Sequence, residues 1–299
     1  MSAFNWLLLT LLSVLWGGSF FLAELLLEHW PPLTIVALRV SVAALVLWPI
    51  VLAKGIELPQ QLSGWLALFF MGVLNNAIPF SLIVWGQREI TGGLASILNA
   101  TTPVFTVIVA GLLLTDERFT VGKVVGVALG LVGVIVMIGV DALVTMSAAV
   151  PAQLAIIGAS ISYAFAATYG RRFAKFGVPP LLIAAGQLSA TALLLTPLAL
   201  WVDDPLALPV PGATTWLALG AFAVLSTALA YQLYFALLAT AGATYTSLVT
   251  ILVPVSAVLL GWLFLDEHLA REHLVGMAII GVALMVIDGR WTSRRRRAT

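Results

Sequence analysis

The chain has 299 residues, of which 62% are hydrophobic and only 9% are charged, and its mean hydropathy is +1.10. A soluble domain is about 45–50% apolar and about 25% charged, so this composition excludes a water-soluble protein. The net charge of +1 implies no general attraction to nucleic acid, and the lack of cysteine excludes disulfides and thiolate metal sites.

Apolar runs of about 20 residues, the length that crosses a bilayer as a helix, recur along the whole chain. We predict an all-α integral membrane protein with ten transmembrane helices, at residues 5–27, 32–53, 63–86, 92–114, 120–139, 152–171, 179–200, 213–237, 243–265 and 270–288. Proline supports two of these boundaries, because Pro31-Pro32 and Pro179-Pro180 stand where a helix is predicted to begin and where proline is tolerated. The first run has neither a basic region nor a small-residue cleavage site, which favours a retained helix over a signal peptide.

The distribution of basic residues predicts the orientation of these helices, because cytoplasmic connections carry an excess of lysine and arginine. If the N-terminus is cytoplasmic, the inside segments hold 11 of the 14 basic residues, namely Lys54, Arg118, Lys123, Arg171, Arg172, Lys175, Arg290, Arg294, Arg295, Arg296 and Arg297. The outside segments then hold only Arg88 and Arg271. We therefore predict cytoplasmic N- and C-termini, with residues 290–299 as a basic cytoplasmic tail.

The two halves of the chain repeat one another at a spacing of about 150 residues. Pro31-Pro32 recurs as Pro179-Pro180, Trp65 recurs as Trp216, and Asp116-Glu117 recurs as Asp266-Glu267, all in the same order. Residues 1–140 and 141–289 therefore each form one five-helix repeat. Because five is odd, the repeats are predicted to be inverted relative to one another, which is an architecture of alternating-access transporters.

Several of these repeated motifs resemble the EamA-type members of the drug/metabolite transporter superfamily. The resemblance rests on Trp16-Gly17-Gly18-Ser19-Phe20, on Arg39, on Ala95-Ser96 with Pro103, on Asp116-Glu117, and on the copies of the later motifs in the second half. Within the superfamily the chain most resembles the YddG-type bacterial exporters of aromatic and other neutral amino acids. The resemblance implies two inverted halves around a central cavity lined by spans 1, 3, 4, 6, 8 and 9.

Polar and aromatic side chains within the predicted spans concentrate on the same six helices. A polar side chain is costly in lipid and usually faces a cavity or another helix. The predicted substrate-binding residues are Trp16, Ser19, Asn75, Asn76, Trp85, Asn99, Tyr163, Tyr231, Tyr234 and Ser247. The alternative is that the asparagines join packed helices and that the aromatic residues anchor the chain at the membrane interface.

Glu24 and Arg39 are the ionisable residues that lie well inside a predicted span. Because a short loop joins their helices, they are predicted to form an ion pair or a gate latch, with proton coupling by Glu24 as an alternative. This scarcity of charge favours a neutral or zwitterionic substrate. On span 5, Gly122, Gly126, Gly130 and Gly133 recur at helical spacing and predict close packing against a neighbouring helix of the same chain, and hence a monomer rather than a dimer.

The sequence therefore predicts a secondary transporter of the bacterial inner membrane that exports neutral amino acids, with aromatic ones favoured, by alternating access. A drug or general metabolite exporter is the alternative within transport, and a non-transporting receptor or scaffold is the alternative outside it. No cluster of histidine, cysteine or paired intramembrane carboxylates supports an enzyme. We expect a small-molecule substrate and the lipid bilayer as partners, with no metal and no cofactor.

Overall fold

The computed structural model describes residues 2–115, 120–138, 149–246 and 248–288 of the chain, and the described residues are helical with no strand among them. The first half contains α1 (Ala3–Leu27), α2 (Pro32–Ala53), α3 (Leu62–Gly72), the π-helical segment π1 (Val73–Ala77), α4 (Ile78–Gly86), α5 (Gly92–Asn99), α6 (Thr102–Leu113) and α7 (Val121–Ile138). The second half contains α8 (Ala149–Lys175), α9 (Pro180–Val202), α10 (Ala213–Gly220), the π-helical segment π2 (Ala221–Leu229), α11 (Ala230–Ala241), α12 (Ala243–Thr246), α13 (Val249–Phe264) and α14 (Arg271–Asp288).

Eight of these helical stretches are long and apolar enough to cross a membrane, when α3 to α4, α5 to α6 and α10 to α11 are each taken as one. A shorter apolar helix, Val249–Phe264, follows them. The chain is therefore a multi-pass membrane protein. The predicted helix boundaries lie close to the observed ones at most positions, while the ten-span inverted repeat remains a prediction.

Local sequence explains where several helices begin. Pro32 and Pro180 occupy the first turn of α2 and α9, where the missing N–H has no helical partner in any case. At α1, Ser2 Oγ accepts a hydrogen bond of 3.2 Å from the Asn5 N–H. At α5, Thr91 Oγ1 accepts one of 3.3 Å from the Leu94 N–H. These side chains satisfy N–H groups that a helix terminus otherwise leaves unpaired.

The helices pack as pairs that each join one half of the chain to the other, namely α1 with α13, α2 with α9, and α7 with α14. Small residues permit the close approach. A β-carbon on Gly17 would lie 2.8 Å from the Val253 carbonyl oxygen, and Ser256 Oγ donates to the Ser13 carbonyl at 2.7 Å. Packing and hydrogen bonds between transmembrane helices replace the hydrophobic drive that lipid removes.

The glycine pattern of span 5 packs as predicted against helices of the same chain. A β-carbon on Gly126 would lie 2.9 Å from the Ala283 carbonyl oxygen, and one on Gly133 would lie 3.1 Å from the Gly276 carbonyl oxygen. Gly130 meets the Val104 side chain of α6 in the same way. The stripe is therefore used within the chain, along α14 and α6.

Two ends of the bundle can be distinguished by their contacts. At the end that we name the Trp30 end, Asp203 Oδ2 accepts from the Thr34 N–H at 2.7 Å and from Thr34 Oγ1 at 2.8 Å, and the rings of Trp30 and Trp216 meet edge to face. At the opposite end, named the Lys54 end, the connection after α2 and the connection after α8 border a cleft of about 810 Å³. The cleft lies between residues 56–68 of the first half and residues 172–182 of the second half.

Candidate functional site

The third span is interrupted by π1, which carries Asn75 and Asn76 near its centre. Pro79 lies four residues after Asn75 and has no N–H to donate to the Asn75 carbonyl, so regular α-helical pairing fails at this point. The wider π turn is the local solution, and such turns are frequent at functional sites. The second half has π2 at the corresponding position, with Ser226 and Thr227 in it.

Tyr231 is the centre of a polar network between the two halves. Its hydroxyl donates to Asn76 Oδ1 at 2.9 Å and accepts from Asn75 Nδ2 at 3.2 Å. Asn75 Nδ2 also donates to Gln187 Oε1 at 3.1 Å. The network thus joins π1 of the first half to α9 and α11 of the second. The asparagines and Tyr231 were predicted as site residues, whereas Gln187 was missed because span 7 looked poor in polar side chains.

Asn76 Nδ2 is buried and has no hydrogen-bond partner among the described residues, and the same holds for Asn99 Oδ1 and Ser81 Oγ. Asn76 is fully buried and Asn99 ends α5, where Ser160 Oγ approaches its carbonyl oxygen at 3.5 Å. The neighbouring Ser162 Oγ donates to the Leu74 carbonyl oxygen at 2.7 Å, so α8 links the two asparagine regions. A buried polar group without a partner is costly. The site therefore offers one amide donor and two acceptor oxygens.

Arg39 lies buried between aromatic rings of both halves. Its Cζ is 4.0 Å from the centre of the Phe80 ring and 4.1 Å from the centre of the Phe222 ring. Its Nε donates to Thr227 Oγ1 at 2.8 Å, and Thr227 Oγ1 in turn donates to the Phe222 carbonyl oxygen at 2.9 Å. Tyr163 and Tyr231 are in the surroundings of the guanidinium. Arg39 is therefore part of the polar centre.

Glu24 has different partners, so the predicted ion pair between Glu24 and Arg39 is wrong. Glu24 Oε2 accepts from the Gly92 N–H at 3.0 Å at the Trp30 end. Glu267 binds the same helix start, since its Oε1 accepts from the Gly92 N–H at 3.2 Å and its Oε2 accepts from the Gly93 N–H at 3.0 Å. The start of a helix presents unpaired N–H groups that bind anions, and the start of α5 binds both carboxylates in this way.

Aromatic rings extend the site towards α1. The rings of Trp16 and Tyr234 are 5.5 Å apart, Tyr234 meets Phe235 edge to face at 5.3 Å, and Phe235 stacks on Tyr231 at 6.2 Å. These spacings lie within the range of favourable aromatic pairing. The predicted residues Trp16, Tyr231 and Tyr234 are thus brought together in one aromatic row that leads to the polar network.

Two other predicted site residues, Ser19 and Trp85, are not brought into this cluster. Ser19 Oγ donates to the Trp16 carbonyl oxygen of its own helix at 2.6 Å. Trp85 is 41% exposed and, in the part of the chain that the structure describes, has no ring or hydrogen-bond contact with the cluster. Ser247 lies outside the described residues. The carbonyl oxygen of Asn99 accepts a hydrogen bond of 2.7 Å from Thr102 Oγ1.

Several proteins of similar sequence are named as transporters. The chain is 28% identical to Protein PecM of Dickeya dadantii (strain 3937) over 288 residues, which cover 94% of this chain and 92% of that protein. It is 26% identical to the uncharacterized inner membrane transporter YedA of Escherichia coli (strain K12) over 279 residues, 92% of this chain and 88% of YedA. It is 24% identical to the uncharacterized transporter YoaV of Bacillus subtilis (strain 168), which covers 90% of this chain.

A solved structure has the same fold. A crystal structure of a protein that is 20% identical superposes with a TM-score of 0.64 and covers 96% of this chain and 98% of its own. The model of the EamA-like transporter family matches this chain twice, at residues 4–139 and 150–287. Together the two matches cover nearly the whole sequence. The chain therefore belongs to the EamA-like transporter family and is a membrane transporter.

Proposed function

We propose that the chain exports neutral amino acids, aromatic ones in particular, across the bacterial inner membrane by alternating access. The observation that carries this proposal is the polar network around Tyr231, where the buried Asn76 Nδ2 and Asn99 Oδ1 have no partner. An amide N–H is a donor for a carboxylate, and an amide oxygen is an acceptor for an ammonium group. A zwitterionic solute satisfies both atoms at once.

The aromatic row supports an aromatic side chain on that solute. Trp16, Tyr234 and Phe235 continue directly from Tyr231 in a series of ring contacts. A bound aromatic ring gains contact area and favourable ring geometry against such a surface. The resemblance to YddG-type exporters points to the same substrate class and to outward transport.

Inverted repeats provide the mechanism that we propose for this movement. The two family-model matches, at residues 4–139 and 150–287, support two five-helix halves at 1–140 and 141–289. Carboxylates join the halves at the Trp30 end, while a cleft separates residues 56–68 from residues 172–182 at the Lys54 end. Rocking of one half against the other, as in other inverted-repeat transporters, closes this cleft and parts the Trp30 end.

The orientation follows from the basic residues. The Lys54 end includes Lys54, Arg172 and Lys175, so we place it and both termini in the cytoplasm. The residues 290–299 then form a basic cytoplasmic tail. The cleft at the Lys54 end then faces the cytoplasm, the side from which an exporter takes its substrate. Since the span 5 glycines pack within the chain, we propose that it acts as a monomer.

A drug or general metabolite exporter remains the alternative, because the aromatic row suits many flat apolar solutes. The unpaired amide donor and amide acceptor favour an amino acid, since an apolar drug leaves both of them unsatisfied. Competition for the same flux between amino acids, sugars and aromatic dyes distinguishes the two. Membership of a transporter family argues against a receptor or scaffold without transport.

Counterflow in proteoliposomes tests the proposal without any assumed ion gradient. Vesicles loaded with unlabelled phenylalanine are diluted into a trace of labelled phenylalanine, with leucine, alanine and aspartate as further pairs. We expect accumulation of the neutral amino acids, strongest for phenylalanine, and none of aspartate. Protein-free vesicles are the control. If no neutral amino acid exchanges while a sugar or a dye does, the amino-acid assignment is wrong.

A further inference from the structure

Arg39 is a buried cation within a membrane-spanning helix. It is 7% exposed, and among the residues that the structure describes no carboxylate contacts it. The nearest candidate in sequence, Glu24, is bound to the start of α5 instead. Arginine stays charged in proteins, and an intramembrane charge usually pairs with another charge or serves a transported solute. Since the described residues supply no anion for Arg39, the transported solute is a candidate to supply one.

The surroundings of Arg39 fix the direction from which such a partner can approach. Phe80 and Phe222 cover the two faces of the guanidinium at 4.0 and 4.1 Å. Arg39 Nε donates a hydrogen bond of 2.8 Å to Thr227 Oγ1. The remaining donors belong to the two terminal nitrogens, for which the described residues provide no hydrogen bond. These nitrogens form a planar edge that matches the two oxygens of a carboxylate.

Arg39 lies near the polar network of the proposed substrate site. Tyr231, which is in the surroundings of Arg39, donates to Asn76 Oδ1. Tyr163 is the other hydroxyl near the guanidinium. Phe80 lies four residues after Asn76, so both occupy one face of the helix that runs from π1 into α4. Asn76, whose Nδ2 has no hydrogen-bond partner among the described residues, thus lies on the helix face that reaches Arg39 through Phe80.

We propose that Arg39 binds the carboxylate of the transported solute through its terminal nitrogens, so that the substrates are monocarboxylates with an apolar or aromatic body. This inference rests on the proposed function and extends it, because it makes the carboxylate, and not the ammonium group, the feature that every substrate must carry. The aromatic faces hold the guanidinium in one plane, and Thr227 holds its remaining edge. Amines of the same shape but without a carboxylate are excluded, because they bring a second positive charge to an uncompensated cation.

A set of three ligands with the same phenyl ring separates the two charged groups. L-phenylalanine carries both, 3-phenylpropionate carries only the carboxylate, and phenethylamine carries only the ammonium. The purified full chain in lipid nanodiscs is heated with each ligand, and the midpoint of unfolding gives an apparent affinity, because a ligand that binds only the folded state raises it. We expect both acids to raise the midpoint and the amine to leave it unchanged.

Variants of Arg39 complete the experiment. Arg39→Gln is expected to weaken both acids at least tenfold, and Arg39→Lys is expected to retain weaker binding of both. Thr227→Val is expected to weaken the acids less than Arg39→Gln does, because it only releases the guanidinium from its fixed orientation. Arg88→Gln, which removes an exposed arginine, is the matched control and is expected to bind like the unaltered chain.

Each remaining result has a distinct meaning. If the amine stabilises the unaltered chain as well as the acids do, or if neither acid stabilises it, Arg39 is not a carboxylate receptor. If Arg39→Lys and Arg39→Gln unfold at lower temperature but keep the ligand ranking of the unaltered chain, Arg39 only joins the helices through its two phenylalanines. If both acids bind through Arg39 but counterflow of every neutral amino acid fails, the proposed function is wrong and the carboxylate site stands. The order in which the three ligands stabilise the unaltered chain is itself decisive. The proposal can therefore be tested even if an Arg39 variant does not fold.

Discussion

Glu267 Oε2 accepts a hydrogen bond of 3.0 Å from the N–H of Gly93, a residue 174 positions earlier in the chain. The contact joins the connection between α13 and α14 to the first residues of α5, and so it joins the two halves. A larger residue at position 93 would clash with Glu267, since a β-carbon on Gly93 would lie 2.8 Å from the same carboxylate oxygen. Gly92 likewise accommodates the Glu24 carboxylate. The two glycines thus expose N–H groups that bind carboxylates from both halves.

We predict that Glu267→Ala opens the Trp30 end. The substitution removes both hydrogen bonds from Glu267 to the start of α5, while Glu24 retains its own bond to Gly92. The natural chain has no cysteine, so Ser19→Cys introduces a single reactive thiol. Ser19 lies on α1 farther from the Trp30 end than Glu24, so its labelling reports whether a reagent can pass Glu24 from that end. We expect labelling of this cysteine by a membrane-impermeant maleimide, added to intact cells, to become several-fold faster in the Glu267→Ala background.

The matched control for this change is Glu89→Ala. Glu89 is an exposed glutamate at the same end of the bundle, so its loss changes the charge there by the same amount. Equal labelling rates in the two backgrounds would mean that the carboxylate of Glu267 does not hold the halves together.

We predict that Tyr231→Phe impairs transport. Removal of the hydroxyl leaves Asn76 Oδ1 without its donor and takes one of two acceptors from Asn75 Nδ2. An unsatisfied buried polar group costs about 1–3 kcal/mol, which corresponds to roughly 5- to 150-fold in kcat/KM. Initial rates of phenylalanine counterflow, normalised to the amount of folded protein, measure the effect.

Tyr169→Phe provides the comparison for that measurement. Its hydroxyl makes only a long contact of 3.5 Å with the Ala67 carbonyl oxygen, away from Tyr231. We expect this variant to keep the rate of the unaltered chain. A comparable loss in both variants would point to a general effect of removing a tyrosine hydroxyl from the bundle, and the network around Tyr231 would lose its special role.

The positions of the helices were largely predictable, because apolar length and proline report directly on where a chain crosses lipid. The predicted starts at residues 32, 92 and 213 coincide with those of α2, α5 and α10. The π segments were not predicted as such. Pro79 signals an interruption near π1, but π2 contains no proline and so offers no such signal.

The partners of the polar residues were harder to predict than their positions. Asn75, Asn76 and Tyr231 were each recognisable as costly polar side chains within a span, yet their contact depends on how two helices rotate about their own axes. Gln187 was missed because a single amide among apolar residues gives no pattern. Glu24 and Arg39 were paired wrongly since a short loop made them look adjacent, whereas helix rotation directs them to Gly92 and Thr227.

We predict that both ends of the chain lie in the cytoplasm. The physical reason is the bias of lysine and arginine towards the Lys54 end and the C-terminal tail. A fluorescent protein fused after Thr299 is expected to fluoresce, and alkaline phosphatase fused at the same point is expected to be inactive. Fusion of the phosphatase after Asp204, at the Trp30 end, is expected to be active. The reverse pattern would invert the proposed direction of opening.

We predict that Gly276→Ala destabilises the pair formed by α7 and α14. A β-carbon at Gly276 would lie 2.8 Å from the Gly133 carbonyl oxygen and 2.8 Å from Met137 Cβ, so the two helices must move apart. Overpacking of this kind costs about 1–3 kcal/mol.

Gly281→Ala on the same helix is the matched control, because a β-carbon there meets no atom within 4 Å. Unfolding of the chain in nanodiscs, followed by tryptophan fluorescence, should show a lower midpoint for Gly276→Ala and an unchanged or slightly higher one for Gly281→Ala. Identical midpoints would mean that α7 and α14 yield to the added methyl group and that the glycine stripe is not required for their close approach.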